Sequence, residues 1–459
     1  TGFDSPSNPI ILGNQSVAVS IKNYGTDSLA TAQIGWDVNG ALQTPFNLGL
    51  TGTNQLAVNQ SANNIVIGNF NFSNSLSVVR SWTSNPNGFQ DEIPSNDTAA
   101  AIFCTGLSGT YTAGKPGDDF PKIEYVFEAL NSCGLVGPTK ILVSSGNYLV
   151  NEELSNISGL GVNSLTFVGD SASNTLFTTS GSGTNIATIL LDNVSNVHFK
   201  RLTIQNEGTN LGRCFQIRNQ CSNITIDSCI IVATNPLLTA GLQVVGVFMG
   251  PSITSNFTEG DPGKNITVSN CEFFNLEQAV QVQAANLTPS KNISIINNVV
   301  ISGLDGAFSI DNVDSTYIIG NKIEQMGLTT SDAIFCEDLE TFWINRNEIY
   351  VGGDGIILSR ANDTAGVVGE VINNIISGGF NGISILNSLS SQILHNSVEA
   401  NPALNLNNAQ SLDCRNNIFT ADQGLAFNAF NASFTILDYN IYKTNGTNIA
   451  SNNGGTITD

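Results

Sequence analysis

The residues of this chain that could do chemistry are few, and most are acidic. There are only two histidines, His198 and His395. That excludes a His-rich metal site, and their distance in the repeat described below leaves no Ser-His-Asp constellation. Eight cysteines contain no C-x-x-C pair, so neither zinc nor thioredoxin chemistry is signalled. The best cluster of charged residues follows an alternating strand in several repeats. It comprises Arg218, Asp311 with Asp314, Glu337 with Asp338, and Arg360. Carboxylates on adjacent coils could do acid–base work or hold a cation. Asp311, Asp314, Glu337 and Asp338 are therefore the candidate metal ligands, with calcium the only cofactor considered. The plainer expectation for them is a solvated turn face, with no catalytic residue and no cofactor. Asp118 and Asp119 form the sole Asp-Asp pair, and they precede a helical segment whose N-terminus they are expected to cap. Phe248, Met249 and Phe257 fall in a loop predicted over 246–264, where they are candidates for binding a partner or glycan.

These residues are spaced by a repeat that starts near residue 160. Its frame is a polar anchor followed by alternating apolar positions, as in NITIDSCII from Asn223, NITVSNCEF from Asn265 and NISIINNVV from Asn292. The same frame returns at Ser315, Thr341, Val368, Ser390, Ser411 and Ser433. Most anchors stand 21–27 residues apart, which suits one coil of a β-solenoid and is too short for a helix pair or propeller blade. A second alternating strand precedes each anchor, for example AFSI (307–310) and GISI (382–385). One coil cannot bury its own apolar face, but stacked coils can, about 4.8 Å apart. The expected fold is all-β: a right-handed parallel β-helix of about a dozen coils over 141–459.

Six residues after the anchor stand Asn298, Asn321, Asn347, Asn374, Asn396 and Asn417. Stacked Asn side chains can hydrogen-bond along the rod, and Asn tolerates left-handed turns. Two earlier coils carry Cys229 and Cys271 there, which when stacked could approach disulfide distance, although buried small hydrophobes are the plainer expectation. The sequons at Asn223, Asn265 and Asn292 are repeat anchors, so a turn role explains them.

Residues 1–99 lack this period and read as short alternating strands punctuated by Gly and Asn, a β-sandwich of Ig-like size. Between them, 100–140 holds a linker and an amphipathic helix. There Phe120, Ile123, Val126, Phe127 and Leu130 recur at helical spacing, with Pro121 in the first turn. Such a helix would cap the open first coil. Cys104 and Cys133 bracket it and are expected to pair.

The stretches VSIKNYGTDSLATAQIGWDVNG and WTSNPNGFQDEIPSNDT resemble CARDB-like, Ig-like modules of bacterial surface adhesins. The match runs through Asn23 to Gly25 and Asp91 to Thr98, about a fifth of the chain. The junction and following coils resemble β-helix domains of large secreted Bacteroidota proteins. That resemblance implies an extracellular, surface-displayed chain.

The bulk numbers agree with such a place. Net charge is −21 and the pI about 4.2, a surface that repels nucleic acid and anionic membranes. No apolar run approaches a membrane span. The expected partners are other copies, other segments of a longer surface chain, or cell-surface glycans. The carboxylate motifs of polygalacturonases do not occur on the coils, and lyases need a basic residue beside acidic ligands. The expectation is therefore a non-catalytic structural or adhesive segment. The alternatives are a β-helix polysaccharide lyase or hydrolase, and a glycan-binding module.

Overall fold

The computed structural model describes residues 2–91, 93–179, 186–208, 212–234, 244–251, 259–325, 332–361, 368–453 and 455–457. It divides into two units, Thr1–Leu142 with Ile157–Asn163, and Val143–Asn156 with Ser164–Asp459.

The first unit extends beyond the boundary expected at residue 99. Thr98–Cys104 completes an antiparallel sheet with Leu76–Ser84 and Thr31–Val38, register Trp82 to Thr98 and Leu76 to Cys104. A second antiparallel sheet holds Gly2–Ser5, Gly13–Lys22 and Ser61–Phe72. Alternation puts Val17, Val19 and Ile21 of one sheet against Ile34, Trp36, Val38, Val79 and Phe103 of the other, so each strand contributes one apolar face to a shared core. Asp37 lies on the opposite face of its strand, buried, and Arg80 reaches it at 2.6 Å.

Helix Ile123–Cys133 buries Ile123, Val126, Phe127, Ala129, Leu130 and Cys133. Its N-cap is Lys122, with no side-chain cap bond. Asp118 and Asp119 do not cap it. Asp118 accepts the Lys115 amide at 2.9 Å, and Asp119 accepts the Thr112 amide at 2.8 Å, so both hold the turn before the helix. Cys104 and Cys133 are joined as a disulfide, Cα–Cα 5.9 Å.

The second unit is a β-helix-like solenoid of parallel sheets. Each coil carries three strand segments, one more than the two that the apolar alternation marks. One ladder includes Lys291–Ile296, Ser315–Ile319, Thr341–Asn345 and Gly369–Ile372. After the Asn turn come short strands such as Lys322–Gln325 and Glu348–Val351. The third ladder includes Val244–Met249, Glu272–Gln283, Val299–Asp311, Asp332–Glu337 and Ile356–Ser359. The short strand escaped the sequence because it buries only one or two residues, Ile349 and Val351 for instance.

Inward positions repeat coil after coil. Phe167 stacks on Phe199 at 5.3 Å, and Val280, Phe308, Ile334 and Ile356 share one column. Asn196, Asn223, Asn265 and Asn292 have φ between 55° and 61°, the left-handed region Asn tolerates, and their amides bond in series at 2.9, 3.0 and 2.8 Å.

Candidate functional site

The six Asn of the turn form a continuous column. Each Nδ2 donates to the next Oδ1 at 3.0 Å from Asn298 to Asn417, and each Oδ1 also accepts a backbone amide of the coil before. Asn440 continues the column, accepting from Asn417 at 2.9 Å. It stands seven residues after its anchor because the register slips between Leu412 and Asp413. Cys229 and Cys271 lie buried as free thiols. His395 takes a turn position at φ 58°. His198 lies half-buried on the outer face of the first ladder, where burial and Lys200 lower its pKa.

Of the charged cluster, four residues meet. Asp311 ends strand Val299–Asp311, and Glu337 ends strand Asp332–Glu337 as its direct register partner. Their backbones therefore sit about 4.8 Å apart. Arg360 of the following coil bonds Glu337 at 2.8 Å and Asp338 at 2.7 Å. The Ser359 hydroxyl adds a bond to Glu337 at 3.3 Å. The Asp311 carboxyl is pushed up to about 7, first by burial, then by Glu337, Asp338 and Glu259, against the pull of Arg360.

Two sequence candidates fall elsewhere. Arg218 ends strand Gly212–Arg218 of the third ladder several coils away, held by Asp192 at 2.7 Å, and Asp314 is held by Lys291 at 2.7 Å at the entry to the first ladder. Asp314 follows a turn at Asn312 (φ 57°), which carries it away from the Asp311 strand end. Among the described residues no group of three or more His, Cys, Asp or Glu could hold a metal ion. The four carboxylates do not converge: Asp314 pairs with Lys291, and Arg360 pairs with Glu337 and Asp338.

The loop candidates are also corrected. Phe248 and Met249 lie in strand Val244–Met249 and are fully buried. The run VVGVFM is apolar throughout, which favours a covered strand over a projecting loop. The Phe248 ring packs under the Arg213 guanidinium at 3.9 Å. Phe257 lies outside the described residues.

A second row of carboxylates starts the same strands. Gly306 pairs in register with Asp332, and the Ala333 amide bonds the Asp354 carbonyl. Glu277 and Asp305 occupy the neighbouring coils. Burial and Asp305 push Glu277 up to about 7, and its Oε2 is buried without a hydrogen-bond partner. Burial, then Asp354 and Asp305, push Asp332 up to about 6. The signal was in the sequence: LDGAFSI, SDAIFC and GDGIIL each carry an acid just before the alternating strand. Between the two rows the outward column is Gln281, Ser309, Phe335 and Ile357.

No protein-family model and no curated protein matches the chain. Solved structures do. The catalytic unit of a thermostable GH87 alpha-1,3-glucanase from Streptomyces thermodiastaticus is 11% identical, covering 95% of this chain and 90% of that one, TM-score 0.37. A variant GH87 alpha-1,3-glucanase catalytic domain in complex with nigerose is 12% identical over 97% and 89%, TM-score 0.36. A GH136 lacto-N-biosidase from Eubacterium ramulus is 11% identical over 72% and 67%, TM-score 0.33. These similar structures are glycoside hydrolases, in contrast to the non-catalytic structural or adhesive segment expected from the sequence. At such identities no residue role carries across, so any chemistry must come from this chain's own carboxylates.

Proposed function

We propose that the chain hydrolyses glycosidic bonds at Asp311 and Glu337. The observation that carries this is one register pair of carboxylates in two different electrostatic settings. Asp311 is buried among like charges and rests near pH 7, so at neutral pH a large share carries a proton. Glu337 is ion-paired with Arg360 at 2.8 Å. One acid and one carboxylate side by side are the two parts that glycoside hydrolysis needs.

Asp311 donates its proton to the departing glycosidic oxygen. Glu337 attacks the anomeric carbon and forms a glycosyl ester. The Asp311 carboxylate then takes a proton from water, whose oxygen displaces Glu337. Glu337 as nucleophile on the coil next to Asp311 is the arrangement of a double displacement through a glycosyl ester. The expected stereochemistry is therefore retention. Arg360 orients Glu337 and does not touch the reacting atoms.

The wider setting remains the one the sequence suggests: a right-handed β-helix with an Ig-like module, extracellular, of Bacteroidota type, acting on surface or environmental glycans. Release of reducing ends from a polysaccharide panel tests the reading. Activity lost in both Asp311→Asn and Glu337→Gln supports it. Activity unchanged in both, or absent on every polymer, refutes it.

A further inference from the structure

The charges around this pair restrict what can lie on it. Asp311, Glu337, Asp338 and Glu259 gather at one end of the outward column, and Glu277, Asp305, Asp332 and Asp354 at the other. Among the described residues the cation paired with the first group is Arg360, engaged by Glu337 and Asp338 at 2.8 and 2.7 Å. Two cations on other coils are committed too, Arg218 to Asp192 and Lys291 to Asp314. Between the acidic ends the side chains are uncharged: Gln281, Ser309, half-buried Phe335, Ile357 and Ser384.

From this we infer, resting on the hydrolase reading, that the substrate is an uncharged polysaccharide and is cleaved by hydrolysis. A polyuronate would place a carboxylate on every sugar against these acids, and like charges at contact cost several kcal/mol in recognition. Eliminative cleavage is disfavoured further. It removes the proton beside the sugar carboxylate, so negative charge builds on that group and needs a cation to receive it. Arg360 is already held by two carboxylates. A polymer of free amino sugars meets the opposite difficulty, because its ammonium groups would compete with Arg360 for Glu337 and Asp338. Hydroxyls, by contrast, can donate to carboxylates, and a sugar's C–H face can rest on the half-buried Phe335.

The test uses the full chain and three substrate classes: neutral glucan, xylan and mannan; polygalacturonate and alginate; and chitosan. Reducing ends report any cleavage, and ultraviolet absorbance reports unsaturated ends from elimination. Expected is kcat/KM on a neutral polymer about 100-fold or more above either charged class, with no unsaturated ends and with loss in Asp311→Asn. Cleavage mainly of chitosan or a polyuronate, lost in Asp311→Asn, overturns this inference and leaves the hydrolytic pair standing for chitosan. Unsaturated ends overturn it outright. No cleavage of any class, or cleavage that Asp311→Asn does not change, takes down the hydrolase reading itself.

Discussion

Two sides of the same coils treat buried polarity in opposite ways. At the Asn turn, Asn347 is fully buried and every polar contact is met. Its Nδ2 donates to the Ile318 carbonyl at 2.9 Å and to Asn374 at 3.0 Å, and its Oδ1 accepts from the Asn321 amide and side chain at 2.9 and 3.0 Å. On the third ladder, Asp311 is half-buried among like charges, and Glu277 keeps an oxygen with no partner. Burying polar groups is tolerated when they are paired and costly when they are not. The Asn column therefore holds the solenoid together. The acidic strand ends work against it, and a fold keeps such strain where chemistry uses it.

The sharpest way to break the comparison is to neutralise the acidic side. Asp311→Asn or Glu337→Gln should lower turnover by about 10²- to 10⁴-fold without lowering the urea midpoint, read as reducing-end release beside a denaturation curve. A lost midpoint with retained turnover would reverse the two roles. On the other side, Asn347→Ala strands the Asn321 amide and takes the side-chain donor from the Ile318 carbonyl inside the turn. Each buried group left unpaired costs about 1–3 kcal/mol, so the urea midpoint should drop clearly. Turnover of the remaining folded protein should hold.

A smaller effect concerns pH. A carboxyl sitting near 7 in the fold, against about 3.9 in the unfolded chain, binds its proton more tightly when folded. The stability this contributes is complete below the unfolded value and is lost as pH rises through about 7. Glu277 at about 7 and Asp332 at about 6 add contributions of the same sign. The urea midpoint should decline from pH 5 to pH 8, and less steeply in Asp311→Asn. Turnover should also fall as pH passes about 7, because the general acid is lost.

The Asn side was legible in sequence because its signal is periodic. Asn298 to Asn417 each stand six after an anchor, and only Asn440 is displaced, by a bulge that spacing alone does not show. The acidic side was legible in part. Asp311, Glu337, Asp338 and Arg360 follow the same alternating strand, so position grouped them. What position could not give was protonation, which depends on burial and on neighbours from other coils such as Glu259. The run VVGVFM does not alternate, so the repeat frame passed over it and Phe248 and Met249 read as exposed. The acids before each strand were missed because Asp305, Asp332 and Asp354 lie outside the alternating run that draws the eye.

The smallest expected effect tests where the acidic site ends. Asp314 lies three residues after Asp311, and sequence alone puts the two together. In the fold, Asp314 turns to the other ladder, bonds Lys291 at 2.7 Å, and sits at a solvent-screened rim. Lys291 also lowers its pKa, the reverse of the shift at Asp311. Asp314→Asn should therefore leave turnover, its pH profile and the urea midpoint close to those of the parent chain. A loss of turnover comparable to that of Asp311→Asn would mean that the site runs around the turn at Asn312, and that strand register is the wrong guide to its extent.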